Sequence, residues 1–205
     1  IECNLLRGPI GGDGISLARS GAQSTMRIAD NEIEEVQGHG ISSQDAFGSW
    51  TIECNLLRGP MGGGAMHLHG QGGTATVHNN QITGAQSGIL LTDGDAQWTV
   101  TGNRVEGSNE AGPSPGMGLT GLRAGGSVTL QDNTISYAHG TALDVQRSAA
   151  ALVATGNTFS NSMDARGGAA VLGGVGVTLI DSTGINLGGD EGASTNTIQN
   201  NAQAG

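Results

Sequence analysis

The side chains of this 205-residue chain that could do chemistry are its five histidines, eighteen acidic residues and eight arginines. Their spacing limits what that chemistry can be. His67-Leu68-His69 puts two imidazoles on one face of an extended strand, because successive strand side chains alternate. The pair could hold Zn2+ if a neighbouring segment supplied a third ligand such as Asp93. Two exposed histidines are the simpler reading and the preferred one; His78 likewise reads as outward-facing with no evident partner. Gly11-Gly12-Asp13-Gly14, Thr92-Asp93-Gly94-Asp95 and Gly188-Gly189-Asp190-Glu191 set carboxylates beside glycine. Such loops could ligate Ca2+, but none has the ligand count of a dedicated calcium loop, and turn chemistry explains them more simply. Glycoside hydrolysis needs two carboxylates at a fixed separation. Upstream of His39 the only aspartates are Asp13 and Asp30, each placed singly. Arg7, Arg58 and Arg104 read as surface residues, solvated or paired with nearby glutamates. No residue is assigned as catalytic, cofactor-binding or metal-ligating.

Composition narrows the field further. The net charge is −10 and every basic residue is arginine, which opposes nucleic acid or an anionic membrane as partner. No run approaches the length of apolar sequence that a membrane span requires. Thirty-eight glycines with 2% aromatics leave few large side chains for an ordinary globular core. A stacked solenoid needs fewer, because each layer buries a small apolar set against its neighbours. Cys3 and Cys54 fall at equivalent places two layers apart, beyond disulfide reach, and are expected to be free, semi-buried packing residues.

The elements that must position these side chains are repeats. Ile52-Glu53-Cys54-Asn55-Leu56-Leu57-Arg58-Gly59-Pro60 duplicates Ile1-Glu2-Cys3-Asn4-Leu5-Leu6-Arg7-Gly8-Pro9 letter for letter. Looser copies follow once asparagine is taken as the anchor: Asn4, Asn31, Asn55, Asn80, Asn103, Asn133 and Asn157. Two residues after each lies an apolar residue (Leu6, Ile33, Leu57, Ile82, Val105, Ile135, Phe159), and three before lie Ile1, Ile28, Ile52, Val77, Val100, Leu130 and Ala154. Five before come Met26, Trp50, Ala75, Trp98, Val128 and Leu152, so positions −5 and −3 share one face of a strand. The asparagine itself is expected to break the strand in a left-handed conformation and to stack its amide on those above and below. Further on, most units enter another strand through a small residue: Gly14-Ile15-Ser16-Leu17, Gly40-Ile41-Ser42, Ala65-Met66-His67-Leu68, Gly88-Ile89-Leu90-Leu91 and Ala142-Leu143-Asp144-Val145. Variable glycine-rich connections lie between, with Asn109–Gly116 as a loop insertion on one corner. Trp50 and Trp98 recur every second unit, which suggests an ancestral pair of coils.

The ladder asparagines and the Gly-Ile-x-Leu strands resemble the right-handed parallel β-helix repeats of the pectin-lyase-like superfamily over roughly residues 1–175. The resemblance implies an all-β, single-stranded right-handed solenoid of about seven or eight coils of roughly 23–30 residues, closed by stacking rather than by a conventional core. The helix is expected over 1–187, with 188–205 a polar, glycine-rich tail or partial terminal coil. Gly38-His39-Gly40 is similar to the Gly-His-Gly motif of polygalacturonases, but their paired aspartates and their lysine-containing substrate clamp are missing. Ala138-His139-Gly140 is expected to be another surface corner of the same kind. The Asp-Pro-His-Asp signature of alginate epimerases is absent.

The function expected on these grounds is a non-catalytic extracellular β-helical module, secreted or at the cell surface: a rigid spacer, adhesin or filament subunit. Its partners would be further copies stacked end to end, or polysaccharide, with no cofactor. The alternative is a carbohydrate-active lyase or hydrolase of the same fold, since one fold hosts many activities.

Overall fold

The computed structural model describes residues 1–18, 21, 24–108, 114–164, 171–172, 175–188 and 195–201. Among them are strands, bridges and turns and no helix. One sheet stacks, in order, Thr25–Ala29, Ser49–Glu53, Thr74–His78, Gln97–Thr101, Ser127–Gln131, Ala151–Thr155 and Ile185–Asn186. A second stacks Leu5–Leu6, Glu32–Val36, Leu56–Gly70, Gln81–Gly94, Arg104–Ser108, Thr134–Ser136, Thr158–Ser160 and Thr197–Gln199. A third wall is formed by Ile15–Ala18, Ile41–Ala46, the later halves of Leu56–Gly70 and Gln81–Gly94, then Met117–Leu122, Thr141–Gln146 and Val175–Ile180. All three walls pair in parallel, so each coil lies flat on the next. The one antiparallel pair among the described residues joins Met163–Asp164 to Val171–Leu172. The chain is therefore an all-β parallel solenoid.

The two long strands differ from the expectation of loops between short strands. Through Pro60–Ala65 and Gly84–Gly88 the chain stays paired to the adjacent coil, and the register shifts at Arg58/Met61 and Met61/Gly64. Bulges let a strand turn a corner without giving up its ladder. The insertion around Asn109–Gly116 lies outside the described residues as far as Ala111–Pro113, as do Asn109 and Glu110.

The core runs along the axis as columns. On the first sheet Trp50, Ala75 and Trp98 occupy one column in successive coils. The two indoles meet edge to face at 5.5 Å between centroids, across the coil whose small alanine leaves them room. On the third wall Ile15, Ile41, Met66, Ile89, Met117, Leu143 and Val177 form another column. The position two after each ladder asparagine forms a third, from Leu6 through Ile33, Leu57, Ile82, Val105 and Ile135 to Phe159. The outward residues Arg27, Thr51, Thr76, Thr99 and Thr129 make the matching polar column.

The asparagines stack as expected. Each Nδ2 and each backbone N–H donates to Oδ1 of the next asparagine, at 2.9–3.1 Å from Asn4 to Asn31 and at 3.0 Å for both bonds from Asn103 to Asn133. The second Nδ2 hydrogen reaches a carbonyl one coil back: Asn55 to Ile28, Asn80 to Ile52, Asn103 to Val77, Asn133 to Val100, Asn157 to Leu130. Both lone pairs of Oδ1 and both hydrogens of Nδ2 are thus used, which an asparagine at 0–1% exposure needs. The column continues past Asn157 to Asn196, whose Oδ1 takes both bonds from Asn157.

One expectation is corrected. The left-handed residue is the one before the asparagine: Cys3, Asp30, Cys54, Asn79, Gly102, Asp132 and Gly156 all have φ between 54° and 67°. That bend swings the asparagine side chain inward, while the asparagine keeps ordinary backbone geometry. It also corrects the cysteines. Cys3 and Cys54 are free as expected, but they sit on this outer bend and are exposed rather than semi-buried.

Candidate functional site

The third wall carries the densest set of chemically capable side chains. Its register puts Ser16, Ser42, His67, Leu90, Gly118, Asp144 and Thr178 in one outward column. Asp13 sits at the entrance to the first of these strands and His39 at the entrance to the second. Asp13 Oδ1 accepts the backbone N–H of His39 at 2.7 Å, and Oδ2 accepts the Ser42 hydroxyl at 2.5 Å; Ser42 Oγ is also 3.0 Å from Ser16 Oγ. Partial burial opposes ionisation of Asp13, but the Ser42 and His39 hydrogen bonds and the nearby imidazoles outweigh it, holding the carboxyl below its usual range.

Beside this carboxylate two imidazoles lie edge to face at 4.8 Å between centroids. The Gly64 N–H donates to His39 Nδ1 at 2.9 Å, closer than the Gly64 carbonyl at 3.3 Å. His39 therefore carries its proton on Nε2, which faces His67 Nδ1 at 3.3 Å. That leaves the His67 proton on Nε2, donated to Thr92 Oγ1 at 3.1 Å. One chain of bonds so crosses four coils, from Asp13 through His39 and His67 to Thr92. Burial, and then the positive potential of His39 and His69, push the His67 pKa down against the pull of Asp13 and Asp93. The close fit depends on two glycines: a Cβ at Gly38 would stand 2.2 Å from Asp13 Oδ1, and one at Gly63 would stand 2.7 Å from His39 Nδ1.

The remaining expected residues fall elsewhere. His69 shares the outward face with His67, but its Nδ1 lies 3.6 Å from Asp45 Oδ1, which also accepts Gln71 Nε2. The two histidines do not converge with Asp93, and no group of three metal-ligating side chains occurs among the described residues. Asp95 accepts the Gly72 N–H, so it serves a turn; Asp190 and Glu191 lie outside the described residues. His78, expected without a partner, meets Glu53 Oε2 at 2.6 Å. His139 is 7% exposed and Ala138 1%, so that corner is buried and not a surface site.

Arg7 and Arg58 both reach Glu32 and Glu34, at 2.9–3.2 Å. Arg27, in the coil between the two identical nonapeptides, bonds Glu2 above and Glu53 below. The duplicated segments thus clamp one coil from both sides with alternating charge. Hydrogen bonding to arginine holds Glu32 and Glu53 below the usual carboxylate range. Arg104 pairs with Glu106 at 2.7 Å. These arginines are each committed to a glutamate.

Sequence reasoning passed over Ser16, Ser42, Thr92 and Asp144. A signal was present: aligning Gly14-Ile15-Ser16, Gly40-Ile41-Ser42 and Ala65-Met66-His67 by their strand entries stacks the first two serines and His67. Asp144 is half-buried further along the same column. Its Oδ1 has no hydrogen-bond partner among the described residues while Oδ2 accepts Gln146 Nε2 at 2.6 Å, and burial raises its pKa.

The protein family described as the right-handed beta helix region matches residues 13–202. No curated protein and no solved structure matches the chain.

Proposed function

We propose, for a chain that belongs to the right-handed beta helix family, that it serves as a non-catalytic structural module, a rigid β-helical spacer. The observation that carries this reading is the unbroken side-chain ladder from Asn4 to Asn196, which ties coil to coil through bonds that are buried from Asn31 to Asn157 and part-buried at either end. The surface chemistry is consistent with it. Asp13, His39 and His67 are engaged with one another and with Gly64, Ser42 and Thr92, and Arg7, Arg27, Arg58 and Arg104 with glutamates, instead of converging on an open point. In the module, Ile1 and Leu5 at one end and Leu179, Ile180 and Ile198 at the other expose apolar surface. End-to-end association with further copies at the cell surface or outside the cell is part of the proposal, because an exposed strand edge can pair with another strand.

A second reading has one specific observation in its favour: carboxylate, imidazole and hydroxyl groups gathered on a long parallel wall, as a carbohydrate-active enzyme requires. Incubating the protein with neutral and acidic polysaccharides, with and without Ca2+, separates the two. The structural reading expects no new reducing ends and no unsaturated products. Product formation that disappears in His39→Ala and His67→Ala would replace it with the enzymatic one.

A further inference from the structure

We propose that the His39–His67 pair is an acid-released clasp that locks coils together at neutral pH and lets this wall open when the pair takes up a proton. The argument rests on hydrogen-bond direction. The Gly64 N–H fills the lone pair of His39 Nδ1, and the His39 Nε2–H fills the lone pair of His67 Nδ1. The remaining ring nitrogen, His67 Nε2, is a donor to Thr92. No lone pair on either ring is left to receive a proton, so protonation has to break a bond of the chain.

Each route has a definite cost in contacts. A proton on His67 Nδ1 would face the His39 Nε2–H at 3.3 Å, donor against donor. His39 could relieve that clash by moving its own proton to Nδ1, toward the Gly64 carbonyl at 3.3 Å, but Nδ1 would then confront the Gly64 N–H at 2.9 Å. The first state can persist only if the two rings part, and the second only if the backbone at Gly64 shifts. Gly64 lies where the long strand changes register, next to Gly62 and Gly63, so the segment that must move is already irregular. The titratable groups facing the pair come from each neighbouring coil: Asp13 on one side, His69 on the same strand as His67, and Asp93 on the other side, with Asp45 beside His69. Asp13 and Asp93 favour a first proton and His69 opposes it. Asp13 is anchored by Ser42 and the His39 amide, so it stays ionised through the range in which an imidazole titrates.

The sign follows from linkage. A histidine whose folded pKa lies below its free value binds protons less well folded than open. The clasp is therefore fully closed above the ordinary histidine value, about 6.5, and loses hold as pH falls below it. The open fraction of this wall should rise by up to about tenfold per pH unit for each proton taken up.

The direct test is nitrogen-15 NMR of the histidine rings in the unmodified protein. At about pH 7.5 both His39 and His67 should show the Nε2–H tautomer, and His67 should titrate below the ordinary histidine value with amide shifts at Gly62–Gly64. An Nδ1–H tautomer at His39, or titration of His67 at the ordinary value with no response at Gly64, would overturn the proposal. His67→Gln adds a second reading: amide exchange of the Gly62–Gly64 segment, corrected for intrinsic rate, should lose its extra acceleration between about pH 7.5 and pH 5. Equal acceleration in variant and native protein would contradict the clasp.

Discussion

The asparagine corner and the histidine-bearing wall both cross from coil to coil by side-chain hydrogen bonds, but they use different physics. At the corner one residue type repeats, is buried to 0–1% exposure from Asn31 to Asn157, and has no titratable atom. On the wall the chain Asp13–His39–His67–Thr92 is made of three residue types, is half-buried, and stops after the fourth coil. The corner's bonds hold in any ordinary pH because amides neither gain nor lose protons. The wall's bonds exist only for particular tautomers. A solenoid can therefore carry its stability on one edge and leave another edge responsive, because each edge spans the same coils through separate contacts.

Breaking the corner should have the largest effect. Asn103→Ala leaves the buried Asn80 N–H and Nδ2 without their acceptor and the Val77 carbonyl without its donor. Each such group costs about 1–3 kcal/mol, so a loss of roughly 3 kcal/mol or more is expected in urea unfolding. Asn4→Ala at the exposed end of the same column should cost well under about 1 kcal/mol, which measures how much of the effect is burial.

Next comes the wall. His67→Gln should cost about 1 kcal/mol near neutral pH, the usual net value of a lost hydrogen bond, and the difference from the native protein should shrink toward pH 5 as the native clasp is released. Unfolding midpoints at several pH values check this; a constant difference would place His67 with the asparagines rather than against them.

Asp144 offers an opposite sign on the same wall. Its folded pKa is raised by burial, so the folded state binds its proton more readily than the unfolded chain does. The charged form therefore weakens the fold above that raised value, and the penalty fades as pH falls through it. Asp144→Asn should stabilise the protein near neutral pH by less than about 1 kcal/mol, since the carboxylate is partly exposed and screened. The gain should vanish in acid.

The smallest effect belongs to the surface charges. Removing Arg27, which bridges Glu2 and Glu53, should lower stability only slightly at moderate salt and by nothing measurable at high salt, as thermal melts at two ionic strengths would show.

The same contrast explains what could be read from the residues. The ladder was legible because one residue type recurs at nearly constant spacing with apolar residues at −5, −3 and +2, and burial fixes all of these together. The left-handed bend was misplaced by one position, although Asp30, Asn79, Gly102, Asp132 and Gly156 are the residue types that tolerate it. Cys3 and Cys54 masked the pattern in the duplicated copies. His67 was noticed, but with the wrong neighbour. Its partners His39 and Thr92 are 28 and 25 residues away and of unlike type, so no spacing rule joins them without the stacking register. The buried His139 looked like His39 because both are flanked by small residues, and its burial is not encoded in those flanking residues.

The most direct test of the corner as the element that holds the stack is amide exchange along the whole chain at two pH values, corrected for intrinsic rates. The backbone amides of Asn31, Asn55, Asn80, Asn103 and Asn133, each bonded to the next asparagine, should be protected to one common high level, unchanged in acid, while Gly64 loses protection. Ladder amides that open coil by coil, or that loosen together with Gly64 as the pH falls, would contradict the account.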